Sequence, residues 1–324
     1  MNEPIINLLE RALAMRQAGR RCAACLVVKA RGSTPQSAGA LMLVDEHVNT
    51  FGTIGGGCVE AEIRRRAHAL LSSSKEFVGR LVSFKLDHDY GWDDGLICGG
   101  TIEMAVTPLP PIDDLHRVIG DVRARRATSL TFEAPDESGL LRRFLLDLPP
   151  RDRLYIAGAG HVGQALARVA LPLEFETTIF DDRADLLQRF APPGCLSVAG
   201  DIAEQLRIAP IDGGTYVVIV TRGHKHDEQA LHAVVNRGAK YLGMIGSRRK
   251  IKLIFDDLKD MGADPKSLTD VHAPIGIDIG SVSVEEIALS IAAELIQARR
   301  SEKRPAVRAC DNAVIECADT RAQS

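Results

Sequence analysis

The sequence predicts an α/β protein in which a C-terminal Rossmann-like, doubly wound parallel sheet is preceded by an α+β N-terminal domain. The first observation is a glycine-rich turn, Gly158-x-Gly160-x-x-Gly163, between an apolar run at 154–157 and a helical pattern over 164–170. A dinucleotide-binding turn needs this order, because its glycines allow a tight turn, the approach of a phosphate and close packing of helix on strand. The other two observations are a strict alternation of strands and helices after residue 153 and its absence before residue 108.

The N-terminal part carries strand and helix patterns that do not alternate strictly, which is typical of an α+β domain. We predict helices over 4–18 and 58–71 and strands over 21–30, 40–45, 50–54, 79–86 and 101–107. Prolines disfavour regular structure at both ends of the stretch that follows, and within it we predict one helix and a hairpin of strands 129–134 and 140–146. The predicted divisions are an α+β domain over 1–110, a connecting segment over 111–150, a Rossmann-like domain over 151–300 and a polar tail over 301–324.

The second half of the chain has the pattern of a parallel sheet covered by helices. We predict strands over 154–157, 176–180, 195–198, 215–220 and 240–245, and helices over 161–170, 184–190, 202–207, 227–236 and 247–261. Asp181 ends the second strand, about 20 residues after the first glycine of the turn, where a ribose-binding acid belongs. The strand, the helix and the acid around the glycine turn together predict a nucleotide-binding domain.

Composition limits the class of protein. The 324 residues are 45% hydrophobic and 26% charged, with a formal net charge of -3, which is ordinary for a globular protein of two domains. This charge gives no reason to expect nucleic acid or an anionic membrane as a partner, and no apolar run approaches the roughly 20 residues of a membrane span. The first residues lack the pattern of a secretory signal, and seven cysteines in a chain of this size favour free thiols in a reducing compartment. We therefore expect a cytoplasmic protein.

Loops after four predicted strands lie at the carboxyl edge of the sheet, where open α/β sheets bind their ligands. In the last of these loops Ser247 is a candidate helix cap, and it is followed by Arg-Arg-Lys at 248–250. A helix dipole prefers acids in its first turn, so these cations indicate either an anionic partner such as a phosphate or a solvated basic turn. The candidate cofactor-binding residues of this domain are Gly158, Gly160, His161, Gly163, Asp181, Asp182, Arg183, Thr221, Arg222, His224, Ser247, Arg248 and Arg249.

The run His224-Lys-His226-Asp227 has two interpretations. Its imidazoles and carboxylate are suitable donors for a metal ion. Alternatively the histidines contact the ligand and Asp227 caps the following helix.

Two cysteines of the N-terminal domain lie beside glycines. Cys58 follows three glycines at a helix start, and Cys98 precedes Gly99. A helix N-terminus leaves backbone N–H groups open and lowers the pKa of a thiol, so the two thiols suit one soft metal or sulfur centre. The alternative is a pair of small buried residues beside turns. The candidate cofactor-binding residues here are Gly55, Gly56, Gly57, Cys58, Cys98 and Gly99, with Cys58 and Cys98 as candidate metal contacts.

An ordered series of blocks along nearly the whole chain resembles the XdhC/CoxI family, the maturation factors of molybdenum hydroxylases such as xanthine dehydrogenase and carbon monoxide dehydrogenase. In the first half these blocks are Gly32-Ser-Thr-Pro-Gln-Ser-Ala-Gly39, Gly52-Thr-Ile-Gly-Gly-Gly-Cys-Val-Glu60 and Cys98-Gly-Gly100. In the second half they are 158–163, 180–183, 220–227, 241–250, 273–280 and 285–294.

The resemblance implies a protein that binds the molybdenum cofactor, as molybdopterin or its dinucleotide form. It further implies that the protein holds the cofactor while a cysteine desulfurase sulfurates it, and then inserts it into the apo molybdenum hydroxylase. In this interpretation the glycine turns suit the phosphate or nucleotide tail, and Cys58 and Cys98 are assigned to the molybdenum–sulfur end. A homodimer is expected from the frequency of such assemblies.

Two further functions stay open on the sequence alone. One is an NAD(P)-dependent oxidoreductase, although the first domain offers no clear constellation for hydride transfer. The other is a regulatory module that binds a nucleotide such as NAD(P). The expected chaperone has no turnover chemistry of its own.

Overall fold

The computed structural model describes residues 4–73, 78–86, 99–301 and 306–310. Its contacts divide the chain into two compact units, Met1–Pro150 with Arg304–Ser324, and Arg151–Lys303. The predicted fold class is confirmed: a unit of helices and antiparallel sheets precedes a unit with a parallel, Rossmann-like sheet. No helix among the described residues has the length and apolar character needed to cross a membrane.

The first unit is built on a five-stranded antiparallel sheet with the order β3-β2-β1-β5-β4. Its elements are α1 (Ile5–Gln17), β1 (Cys22–Arg31), β2 (Leu41–Asp45), β3 (Thr50–Gly52), α2 (Gly57–Ser72), β4 (Arg80–Lys85) and β5 (Thr101–Pro108). Successive side chains of a strand point to opposite faces, so Cys22 enters the core that contains α1 and Cys25 enters the core that contains α2. Burial raises the pKa of Cys22 to about 12 and raises that of Cys25 as well. These two thiols therefore serve as core residues on opposite faces of the sheet.

The stretch predicted as a connecting segment is an integral part of the first unit. It forms α3 (Ile112–Arg123), β6 (Thr128–Pro135) and β7 (Leu141–Leu148), with β6 and β7 paired as an antiparallel hairpin. Alternate residues of the hairpin, among them Phe132 and Phe144, are buried in the same core as α1. This apolar face needs a partner surface, which explains why the segment packs against the domain.

The second unit is a five-stranded parallel sheet with the order β10-β9-β8-β11-β12. Its elements are β8 (Arg153–Ala157), α4 (His161–Ala170), β9 (Glu176–Asp181), α5 (Ala184–Phe190), β10 (Leu196–Ala199), α6 (Ile202–Ile208), β11 (Thr215–Ile219), α7 (His224–Val234), β12 (Tyr241–Met244), α8 (Arg248–Asp260), α9 (Pro265–Thr269) and α10 (Val284–Ser301). The central strand β8 packs Tyr155 and Ala157 on the face covered by α6, α7 and α8. It packs Leu154 and Ile156 on the face covered by α4 and α10. Because β8 pairs with β9 on one side and β11 on the other, the strand order reverses there, at the point where such sheets bind ligands.

The last described segment differs from the predicted polar tail. It forms β13 (Val307–Cys310), which pairs antiparallel with β7 and completes a three-stranded sheet in the first unit. Val307 is buried in the core of that unit, and Arg308 pairs with Asp147 of β7 through N–O distances of 2.5 and 2.7 Å. This pairing joins residues 161 positions apart, so local sequence patterns do not reveal it.

Candidate functional site

The glycine turn after β8 has the geometry of an anion-binding turn. Gly158 has φ +115, and a Cβ on it would be 2.6 Å from the carbonyl oxygen of Val220, the residue that follows β11. A Cβ on Gly163 would overlap the carbonyl oxygen of Gly158, whereas a Cβ on Gly160 would meet nothing within 4 Å. No side chain of the described residues caps α4, which begins directly after Gly160. The turn therefore presents open backbone N–H groups at a helix N-terminus, which is where phosphates bind.

Asp181, predicted as the ribose-binding acid, is engaged by the protein itself. Its Oδ2 accepts the N–H of Ala159 at 2.6 Å, and its Oδ1 accepts the N–H of Arg183 at 2.9 Å. The Arg183 guanidinium donates to both oxygens at 2.8 Å, and Asp181 is only 1% exposed. Burial acts to raise the pKa of Asp181, but the hydrogen bonds from Arg183 and Ala159 outweigh it and lower the pKa to about 2. The carboxylate thus braces the glycine turn and is not presented to a ribose.

An exposed ion pair joins the loops that flank the glycine turn. Arg222, after β11, donates to Asp182, after β9, at 2.8 Å. Asp182 also lies 3.7 Å from the Arg183 guanidinium. Both predicted contact residues, Asp182 and Arg222, therefore lie at the carboxyl edge, but each already has a partner of opposite charge.

A buried carboxylate holds α7 and α8 together at the same edge. Asp227 is fully buried and accepts hydrogen bonds from the backbone N–H of Thr221 at 3.2 Å and from its hydroxyl at 2.5 Å. The third donor is the ammonium group of Lys250 in the first turn of α8. Helix α7 begins at His224, ahead of the predicted start at 227, so Asp227 does not cap it. Thr221 and Lys250 are consequently structural partners of Asp227.

The first turn of α8 presents two cations without carboxylate partners. Ser247 caps this helix by accepting the N–H of Lys250 at 3.3 Å. Arg248 and Arg249 are both exposed, and within 4–73, 78–86, 99–301 and 306–310 no ion pair engages either of them. Of the three cations in the turn, these two are available to an anion.

The predicted metal set His224, His226 and Asp227 does not form, because Asp227 is occupied by Thr221 and Lys250. His224 is the first residue of α7, and its Nε2 instead faces Glu228 at 3.6 Å and Asp257 of α8 at 3.9 Å. His161, at the first position of α4, is exposed beside the glycine turn.

The glycine loops of the first unit lie next to one another. Ser33 forms a parallel bridge with Gly99, and a Cβ on Gly55 (φ +120) would be 2.6 Å from the Cβ of Pro35. Cys58, the second residue of α2, is half-buried three residues after Gly55. Cys98 lies outside the described residues, but its neighbour Gly99 is tied to the loop that contacts Gly55.

Glu60 organises the start of α2. One of its carboxylate oxygens accepts the N–H of Gly56 at 3.0 Å and the hydroxyl of Thr53 at 2.9 Å. Gly56 and Gly57 have open space where a side chain would lie. The turn before Cys58 is therefore fixed by Glu60 and left uncovered by side chains.

A loop after α9 adds an element that motif reasoning does not assign to the site. His272 continues alongside β12, and the N–H of Ile275 donates to the carbonyl of Met244 at the carboxyl end of that strand. Glu294 of α10 holds this loop through His272 Nδ1 at 2.6 Å and the N–H of Gly276 at 2.5 Å. The block at 273–280 contributes to the family resemblance, but its spacing alone gives no indication of these contacts.

Comparisons with known proteins agree with both halves of the fold. A family model described as the XdhC Rossmann domain matches residues 154–295, and one described as the XdhC and CoxI family matches residues 15–84. The chain is 25% identical over 305 residues to the molybdenum cofactor insertion chaperone PaoD of Escherichia coli K12, covering 90% of this chain and 88% of PaoD. It is 25% identical over 324 residues to a probable xanthine dehydrogenase subunit of Bacillus subtilis 168, covering 85% of this chain and 92% of that protein.

Two further matches bear on length and fold. The uncharacterized protein YqeB of Escherichia coli K12 is 27% identical over 300 residues, which cover 91% of this chain but only 47% of YqeB, so the chain spans about half of that relative. A crystal structure described as a xanthine dehydrogenase from Bacillus halodurans superposes with a TM-score of 0.77 at 24% identity, covering 92% of this chain and 96% of the other. At this identity the superposition supports the fold alone.

Proposed function

Because the chain belongs to the XdhC and CoxI family, we propose that it is a maturation factor that binds the molybdenum cofactor, holds it for sulfuration and inserts it into a molybdenum hydroxylase. The insertion role is the one in the name of PaoD, and the hydroxylase is the one in the name of the Bacillus subtilis relative. A cysteine desulfurase is the proposed source of sulfur. The chain acts as a chaperone, and a cytoplasmic homodimer is its proposed working form.

The observation that carries this proposal is the anion-accepting edge of the second unit. The turn at Gly160 leaves N–H groups open, α7 lacks a side-chain cap, and Arg248 and Arg249 are exposed without carboxylate partners among the described residues. Helix N-termini and unpaired guanidinium groups both favour phosphate. We assign this edge to the phosphate or nucleotide tail of the cofactor.

The state of Asp181 argues for this ligand over NAD(P). A Rossmann domain that holds NAD uses an acid at the end of the second strand to accept the ribose hydroxyl. Here that acid is buried and occupied by Ala159 and Arg183. The edge keeps N–H and guanidinium groups that can donate to a phosphate. The carboxylate of Asp181, which would accept a ribose hydroxyl, is engaged by donors of the protein itself.

Cys58 supports a role of the first unit at the molybdenum–sulfur end. The thiol of Cys58 lies in the first turn of α2, directly after an open glycine turn. Thiolates are the ligands that suit soft, sulfur-rich centres. We assign Cys58 to this end of the cofactor, with Cys98 as its proposed companion.

The first experiment measures cofactor content after co-expression with the pathway that makes the cofactor. Wild-type protein is expected to carry molybdenum by mass spectrometry and to release a fluorescent pterin on oxidation. The double variant R248A/R249A is expected to lose both signals, while the control K252A/K266A, which removes two exposed cations elsewhere, retains them. Tight binding of NAD(P) with reduction of a substrate would instead favour an oxidoreductase, and a bound nucleotide without molybdenum would favour a regulatory module.

The second experiment tests the thiols. C58S and C98S proteins are loaded with cofactor, and we measure sulfide released by cyanide together with the activity restored to an apo-hydroxylase. Both variants are expected to keep molybdenum but to deliver less sulfurated cofactor, whereas C195S serves as a control at a half-buried thiol of the second unit. Wild-type sulfide content in C58S and C98S proteins contradicts the assignment.

A further inference from the structure

Three donor side chains converge on the outer surface of the pair formed by α7 and α8. His224 and Glu228 are four residues apart on α7, so they share one helix face, and Asp257 reaches them from α8. One ligand atom from each of the three lies within 4.8 Å of the others. The imidazole Nε2 is 3.6 Å from Glu228 Oε2 and 3.9 Å from Asp257 Oδ2.

The distances between these three ligand atoms are close to those in a metal centre. A tetrahedral ion with bonds of about 2.0–2.2 Å holds its ligand atoms roughly 3.4 Å apart. His224 and Asp257 are 45% and 54% exposed. Their side chains can therefore move by the roughly 1 Å that separates the observed distances from those around a bound ion. Two carboxylates and a neutral imidazole also balance the charge of a divalent cation.

Three other carboxylates of this unit have lysine or arginine partners. Asp181, Asp227 and Asp256 pair with Arg183, Lys250 and Lys259. Glu228 and Asp257 have no lysine or arginine partner among the residues that the structure describes, and both of them face the Nε2 atom of His224. Both carboxylates therefore lie within 4 Å of the same imidazole nitrogen.

We propose that His224, Glu228 and Asp257 bind a divalent transition metal, with Zn²⁺ as the preferred ion. Imidazole and carboxylate oxygens are both ligands of zinc, and three protein ligands leave a coordination position for water or an anionic group. The site lies on the helix that follows β11, at the carboxyl edge of the sheet. The test uses Zn²⁺ without the molybdenum cofactor, so its failure and the failure of the proposed function are distinguishable.

The test is a calorimetric titration of tag-free, chelator-treated full-length protein with Zn²⁺ near neutral pH. Wild type is expected to bind one Zn²⁺ ion saturably at this site. H224A and D257N are expected to weaken that binding at least about tenfold, because the loss of a residue that merely orients a metal ligand already costs 10–100-fold in affinity. The matched controls are H226A, which removes the neighbouring imidazole, and D256N, which removes the neighbouring carboxylate. Both controls are expected to bind Zn²⁺ as wild type does.

Substitution by Co²⁺ reports the ligand types. A tetrahedral spectrum without sulfur-to-cobalt charge transfer, lost in H224A and retained in C58S, supports the site. The proposal is overturned if H224A and D257N bind Zn²⁺ as tightly as wild type, if the controls weaken binding equally, or if the Co²⁺ spectrum shows thiolate ligands. Circular dichroism of each variant establishes that it is folded.

Discussion

The buried pair Asp227–Lys250 gives the sharpest prediction for stability. Asp227 is fully buried and has three donors, of which only Lys250 carries charge. The variant K250M keeps most of the apolar stem but leaves a buried carboxylate without a cation. Removing one partner of a buried ion pair costs about 3–5 kcal/mol, so we expect K250M to lower the free energy of unfolding of the second unit by an amount in this range.

A double-mutant cycle tests the reasoning. D227N leaves a lysine that is 26% exposed and can reach water, so it is expected to cost less than K250M. The double variant D227N/K250M should regain part of the loss, with a coupling energy of about 2 kcal/mol. Urea unfolding followed by circular dichroism, with hydrogen exchange of α7 and α8 peptides, measures the stability of wild type, both single variants and the double variant. A cost below about 1 kcal/mol for K250M, or additive costs in the cycle, would refute a buried pair.

Three more predictions concern the glycine turn and the aspartate that braces it. Asp181 has a pKa of about 2 in the folded protein, against about 3.9 in an unfolded chain. Its stabilising effect is thus present above about pH 4 and is lost as the pH falls toward about 2, so D181N should be less stable than wild type at neutral pH and converge with it in acid; a difference independent of pH contradicts this. G160A should fold as wild type but bind less molybdenum cofactor, because its methyl group enters the open space where an anion approaches. G163A should lower the melting temperature, because its Cβ overlaps a carbonyl oxygen, and equal melting temperatures for the two variants would show that this crowding is absent.

Local patterns predict most of the second unit because its strands are short and its helices are amphipathic. The predicted helices 161–170 and 184–190 have the same bounds as α4 and α5. The predicted start of α7 is wrong for a physical reason. Asp227 has the chemistry of a helix cap, but its partners are Thr221 and Lys250, and a pairing with a residue on the next helix leaves no local signal.

The first unit shows the same limit at longer range. Alternation predicts the hairpin β6–β7, yet its place in the core of the unit depends on contacts with α1. The strand β13 depends on a partner more than 150 residues away. The adjacency of the loops at Pro35, Gly55 and Gly99 also follows from the tertiary fold. Sequence patterns therefore identify the glycine loops as candidate sites, and only the structure shows that they lie next to one another.

The carboxyl edge of the second unit separates two requirements that a dinucleotide-binding turn usually combines. Phosphate recognition needs open N–H groups and cations, and these persist at Gly160, Arg248 and Arg249. Ribose recognition needs a free acceptor at the end of the second strand, and Asp181 has both oxygens engaged by backbone and guanidinium donors. Under the proposed function, the ligand of this edge gains affinity through its phosphate and makes no demand on that acid. The same glycine motif can therefore belong to a cofactor carrier, because the partners of one aspartate decide what else the turn can hold.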